Sequence, residues 1–235
     1  MTTATSSRIG GVTPFPRDPE LQELYVYERG LTLVPDDLPE RLPRLRILDL
    51  GHNALTEVPP SLGSLSELDV LYLHDNALTT VPAELGQLEH LTLLTLQENR
   101  LTAVPPELGD LAALVELKLA ANALTGLPGE LGRLAALREL HLRGNGLESV
   151  PAELGALADL RHLDLRDNRL TTLPESFAAL HALRVLDLRA NPLERLPVDL
   201  GALPALEKLD LRWTRYRPPP MLLERLRASG CVVRL

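Results

Sequence analysis

The side chains able to do chemistry in this 235-residue chain are few: six histidines, one cysteine, and acidic and basic residues that recur at regular intervals. His52 and His74, and again His141 and His162, are separated by close to the interval at which the chain repeats, so each pair is carried on adjacent copies. Joined by Asp75 or Asp164, two neutral imidazoles could hold a divalent metal, although the spacing fixes no third and fourth ligand. Covalent catalysis has less to work with. Cys231 is the only thiol, which excludes an intramolecular disulfide or a multi-cysteine metal site and fits a reducing compartment. No GxSxG elbow, HExxH pair or phosphate-binding glycine loop occurs. The residue set points to binding rather than turnover.

Charge narrows the class of ligand. The formal charge is -8, from 32 acidic and 24 basic residues, which argues against phosphate recognition on nucleic acid and against an anionic membrane surface. The N-terminal MTTATSSRIGGVTPFPRDPE has no apolar signal-peptide core and no span of about 20 apolar residues, so a cytoplasmic protein is expected. Residues 1–20, rich in Thr, Ser, Gly and Pro, read as a flexible lead-in. Hydrophobic residues make up 45% of the chain and aromatics 3%. The core must therefore be filled by Leu, Val, Ala and Ile, a uniformity that suggests repetition.

The repetition is explicit. Asn53, Asn76, Asn99, Asn122, Asn145, Asn168 and Asn191 follow one another at intervals of 23 residues without insertion. Each is embedded in the frame LxxLxLxxNxLTxVPxxLGxL, as in LRILDLGHNALTEVPPSLGSL from Leu45 and LDVLYLHDNALTTVPAELGQL from Leu68. Alternation at Leu48 and Leu50 is that of a short strand with one apolar face. Pro59 stops further pairing, and Leu62 and Leu65 have the spacing of a helical turn. One copy cannot bury its own leucine face, so copies must stack, strand beside strand at about 4.8 Å. The Asn amide, with two donors and a carbonyl, can satisfy the backbone where each strand bends away.

The frame resembles the leucine-rich-repeat signature LxxLxLxxNxL, and its 23-residue length and VPxELGxL tail are similar to the repeats of intracellular Ras-group proteins and their bacterial relatives. The resemblance implies an α/β solenoid: a horseshoe with a parallel sheet on the concave face and short helical or 3-10 segments on the convex face. Copies starting at Leu21, Leu45, Leu68, Leu91, Leu114, Leu137, Leu160, Leu183 and Leu206 make nine repeats over residues 21–217. Arg29 and Thr214 replace the Asn in the terminal copies. Residues 218–235 read as a cap: Pro218 to Pro220 open a helix over MLLERLRAS, Gly230 closes it, and CVVRL forms a strand with Cys231, Val233 and Leu235 inward.

With scaffold positions committed to packing, function falls to the strand residues that face outward. One outward column runs Tyr25, Asp49, Tyr72, Thr95, Lys118, His141, Asp164, Asp187, Asp210; the next runs Tyr27, Gly51, His74, Gln97, Ala120, Arg143, Arg166, Arg189, Arg212. In the N-terminal half, Tyr25, Tyr27, Tyr72 and His74 join Ile47, Val70 and Leu93 as a candidate contact patch, unless Phe15 of the lead-in folds back over it. In the C-terminal half, Arg143, Arg166, Arg189 and Arg212 stand beside an aspartate file, either neutralising it or presenting an electrostatic comb. Trp213 either packs on the cap or serves as an anchor. Glu84, Glu107, Glu130, Glu153 and Asp199 read as a solvated convex stripe.

The expected function is a non-catalytic, monomeric protein-interaction module without cofactor, gripping a protein partner on its concave sheet. The Ras-group resemblance implies a small GTPase or other signalling protein as that partner. Two rivals are a recognition subunit of a larger assembly, and a metal or small-ligand sensor using the concave histidines.

Overall fold

The computed structural model describes residues 14–235. Ten three-residue strands form one open parallel sheet in sequence order: β1 (Glu23–Tyr25), β2 (Ile47–Asp49), β3 (Val70–Tyr72), β4 (Leu93–Thr95), β5 (Glu116–Lys118), β6 (Glu139–His141), β7 (His162–Asp164), β8 (Val185–Asp187), β9 (Lys208–Asp210) and β10 (Val232–Arg234). Each strand is in register with the same position of its neighbour, as Leu94 is with Leu71 and Leu117. The chain returns along the convex side through a short helix, α1 (Leu38–Arg41), in the first repeat, five-residue 3-10 turns in the second to eighth, from Pro60–Ser64 to Val198–Ala202, and a second helix after the ninth. A proline ends the extended segment before every one of these 3-10 turns. It fixes φ and offers no N–H to a further ladder.

Between sheet and turns lies a single leucine column. Leu48, Leu50, Leu55, Leu62 and their equivalents in later repeats are fully buried, joined by Phe177 where a leucine would otherwise stand. Burying a leucine side chain contributes roughly 1.5–3 kcal/mol. Only stacking makes that available, because each repeat covers the next.

The asparagines tie the stack together at its bend. Asn122 Nδ2 donates to the carbonyls of Leu96, Leu119 and Ala120 at 2.9, 3.1 and 3.3 Å, and its Oδ1 accepts the Leu101 N–H at 3.0 Å. One amide thus spans two repeats. The residue immediately before each ladder position is left-handed, with φ between 50° and 68° from Glu28 through Ala121 and Gly144 to Trp213. This turns the chain out of the sheet and aims carbonyls at the amide. Asn168 and Asn191 are buried as expected, whereas the five earlier asparagines are only half-buried. Asn122→Leu should still lower stability by roughly 1–3 kcal/mol, since it orphans the buried Leu101 N–H and takes one of two donors from each of three carbonyls. A thermal melt monitored by circular dichroism checks this, and an unchanged midpoint would contradict the ladder's role.

Both ends are capped. At the N-terminal end Phe15 is buried in the core, Arg41 donates to its carbonyl at 3.3 Å, and the Asp18 N–H bonds the Arg41 carbonyl at 3.2 Å. The lead-in expected over residues 1–20 is therefore corrected at its end: residues 14–20 dock beside α1 because Phe15 covers apolar surface the first repeat leaves open. The rest of that expected segment, residues 1–13, lies outside the described residues. At the other end α2 (Pro220–Ala228) buries Leu222 and Leu226 against the last repeat. It closes with the Gly230 N–H on the Arg227 carbonyl and the Cys231 N–H on the Leu226 carbonyl, at 3.0 and 2.9 Å, with Gly230 at φ 86°. This is the paired bond pattern of a glycine-terminated helix. Cys231 is buried and burial raises its thiol pKa, while Leu235, expected inward, is exposed, because β10 ends before it.

Candidate functional site

The two halves of the concave face differ in chemistry. In the N-terminal half Tyr25 and Tyr27 are 43% and 51% exposed. They adjoin Ile47, Val70, Tyr72 and Leu93, half-buried along neighbouring strands. The Tyr25 hydroxyl donates to Glu23 at 3.2 Å; burial and that carboxylate raise its pKa. The His74 ring lies directly over Gly51, where any Cβ would collide with it. It makes edge contacts with His52 at 4.8 Å and Tyr72 at 6.1 Å between centroids. Phe15 does not cover this patch: it sits near Leu31 and Pro35 at the end of the stack.

The C-terminal half is a set of closed ion pairs. Arg189 grips Asp187 with Nε at 2.9 and 3.0 Å and with Nη2 at 2.6 Å, and Arg212 grips Asp210 at 2.9 and 2.8 Å. Arg166 pairs with Asp164 at 3.1 Å, and Arg143 with Asp167 at 3.3 Å. In each of the first three pairs the aspartate ends a strand and the arginine follows two residues later, so the arginines fold back over their own aspartates. Asp164 and Asp187 are buried, and Asp210 is 0% exposed. Burial opposes charge on Asp210, yet the hydrogen bonds from the Arg212 side chain and backbone and the charges of Arg212 and Arg189 outweigh it and lower the pKa. Trp213 does not pack on the cap. It is 73% exposed, with the Arg189 and Arg212 guanidinium carbons 5.8 and 5.4 Å from its ring centroid.

Between the halves, Lys118, His141, Arg143, Asp164 and Arg166 line a shallow hollow of about 460 Å³. Here the two histidine pairs part ways. His52 Nδ1 lies 2.5 Å from Asp75, but His74 turns toward Thr95 at 3.4 Å. His141 and His162 stand edge to face at 5.1 Å, and the carboxylate beside them is Glu139, 3.1 Å from His141 Nε2. The anticipated Asp164 is engaged by Arg166. Sequence reasoning missed Glu139, which lies on the same strand and face as His141, two residues before it.

Repeated parallel strands, 3-10 returns and an asparagine ladder define a class, and comparison with known proteins gives the same one. The leucine rich repeat model matches residues 136–193 and 158–215, and the leucine-rich repeat region model matches 38–151. The chain belongs to the leucine-rich-repeat family. It is similar to a leucine-rich-repeat protein of Leptospira interrogans of known structure, with TM-score 0.86 and 32% identity over 92% of this chain and 54% of that one. The chain thus spans about half the length of that relative. No significant match is found among curated proteins. The family's fold is generally a non-catalytic scaffold for protein interaction. Among the described residues no helix is long and apolar enough to cross a membrane.

Proposed function

We propose that this chain is a non-catalytic module that binds a protein partner on its concave sheet, chiefly through the N-terminal tyrosine half. One observation carries the reading: exposed Tyr25 and Tyr27 continue into Ile47, Val70, Tyr72 and Leu93 across four adjacent strands, while the leucine column beneath does not depend on them. Large amphipathic rings beside aliphatic side chains are the composition of interface anchors. The arginines of the other half supply less, because their charge is already answered by buried aspartates. Trp213 and Arg143 are the exceptions there, being the side chains best placed to add contacts. The partner to test first is a small GTPase or another signalling protein, following the resemblance to Ras-group repeats, with the module acting as a cytoplasmic monomer.

The test is capture of partner by immobilised protein. Tyr25→Ser with Tyr27→Ser should leave the melting temperature nearly unchanged and weaken capture, each anchor being worth about 2 kcal/mol, or roughly 30-fold. Arg166→Glu with Arg189→Glu should lower stability by crowding Asp164, Asp187 and Asp210, yet retain capture below the melting range. Loss of capture in the arginine variant with retention in the tyrosine variant would move the binding surface to the C-terminal half.

A further inference from the structure

We propose that Glu139, His141 and His162 form a binding site for one divalent transition-metal ion of the zinc type, set in the middle of the concave face. Among the described residues they are the one group of three or more such side chains whose ligand atoms all lie within 4.8 Å of one another. The site is made by β6 and β7: Glu139 and His141 point from the same face of β6, and His162 is the in-register neighbour of Glu139 on β7. A bound ion would therefore staple two successive repeats.

The donor set fits the ion. Two imidazoles and a carboxylate are the three protein ligands of a four-coordinate zinc centre whose fourth position is left to water, with metal–ligand bonds of about 2.0–2.2 Å. Tetrahedral closure brings the donor atoms to about 3.3 Å from one another. His141 Nε2 and Glu139 are already at 3.1 Å. From within 4.8 Å, His162 must approach by up to about 1.5 Å, and Glu139, whose side chain is 46% exposed, is free to rotate toward it. Glu116 lies 3.6 Å from His141 Nε2 but is held by Lys118 at 2.8 Å, which places it outside the first set of ligands. His162 is half-buried; burial, then the adjacent His141, lower its pKa against the pull of Glu139, Asp164 and Asp187. A neutral imidazole is the form that coordinates metal. The second histidine pair, though its rings touch, lacks this convergence of ligand atoms: His52 Nδ1 is bonded to Asp75 and His74 Nδ1 faces Thr95.

The inference stands apart from the protein-binding reading, and its test does not use a partner. The untagged full chain, stripped with chelator and dialysed, is titrated with Zn2+ by calorimetry and with Co2+ by visible absorption. One ion per chain is expected, with the d–d bands of four-coordinate Co2+ and a raised melting temperature. His141→Asn and His162→Asn should each weaken uptake at least ~10-fold, as loss of a ligand must exceed the loss of an outer-shell partner. Glu139→Gln, at an exposed side chain, serves if a histidine variant fails to fold. His52→Asn should bind like the unaltered protein. Absence of saturable uptake, uptake indifferent to the His141 and His162 changes, or equal loss in His52→Asn would each overturn the proposal.

Discussion

Asp210→Ala should destabilise the C-terminal repeats by about 3 kcal/mol, the lower part of the range for removing one member of a buried ion pair. Asp210 is fully buried and receives the Arg212 side chain at two oxygens, the Arg212 N–H at 3.4 Å, and the charges of Arg189 and Lys208 at 3.8 and 3.7 Å. Its loss leaves Arg212 without its carboxylate and removes the counter-charge near Lys208, while Arg189 keeps Asp187. Arg212 and Lys208 are part-exposed and can turn to water, which holds the effect below the upper end. For a chain of this length 3 kcal/mol lowers the melting temperature by roughly 6–12 °C. Repeats communicate mainly with their neighbours, so amide exchange should accelerate at Leu209 and Leu211 and stay unchanged at Leu117. Uniform acceleration along the chain would show that the ion pairs do not act locally.

The same carboxylate gives the acid response a sign. Its folded-state pKa lies below the ordinary value of about 3.9, so its contribution is complete above that value and disappears as pH falls through the lower folded one. Stability of the unaltered chain should therefore drop on acidification below about pH 4 more steeply than that of Asp210→Ala, which has no such group to protonate. Parallel denaturation curves from pH 5 to 2 check it, and identical slopes would remove Asp210 from the account.

Most of this architecture was legible in the residues. Spacing alone implied nine strands, the leucine column and the ladder, because a 23-residue frame without insertions admits only in-register stacking. The outward columns were legible too, since strand periodicity places them. What escaped depends on distances between copies. The aspartate and arginine files pair mainly within each repeat, with the longer Arg189–Asp210 contact at 3.8 Å crossing between repeats, a choice made by how guanidinium groups lie over buried carboxylates. Phe15 docks on α1 because the first repeat lacks a neighbour, which no periodic pattern encodes. Glu139 was overlooked because its column, just ahead of an inward leucine, holds Ile47, Val70 and Leu93 from β2 to β4 and looks apolar over those repeats, although it carries Glu23 on β1 and Glu116 on β5.

The glycine of the LG pair was the least legible of all, being written into the frame without a visible task, and it carries the other large effect. Gly63, Gly86, Gly109 and Gly132 each back onto the main chain of the following repeat, so that a Cβ at 109 would overlap the Glu130 carbonyl oxygen and lie 3.0 Å from the Glu130 Cβ. The obstacle is backbone, which cannot rotate aside. Gly109→Ala should therefore pry two convex turns apart and cost about 3 kcal/mol, the upper part of the usual range for overpacking. The chain contains its own comparison. Ala178 stands where the frame has glycine, and the turn after it, Val198–Ala202, packs less extensively on its predecessor than any other consecutive pair of 3-10 turns. The extra methyl is accommodated there because that turn stands off and rests on α2 instead. Ala178→Gly should accordingly shift the melting temperature little, while Gly109→Ala lowers it by roughly 6–12 °C. Equal effects at the two positions would mean that close approach of the convex turns does not set the glycine, and that its place in the frame has another cause.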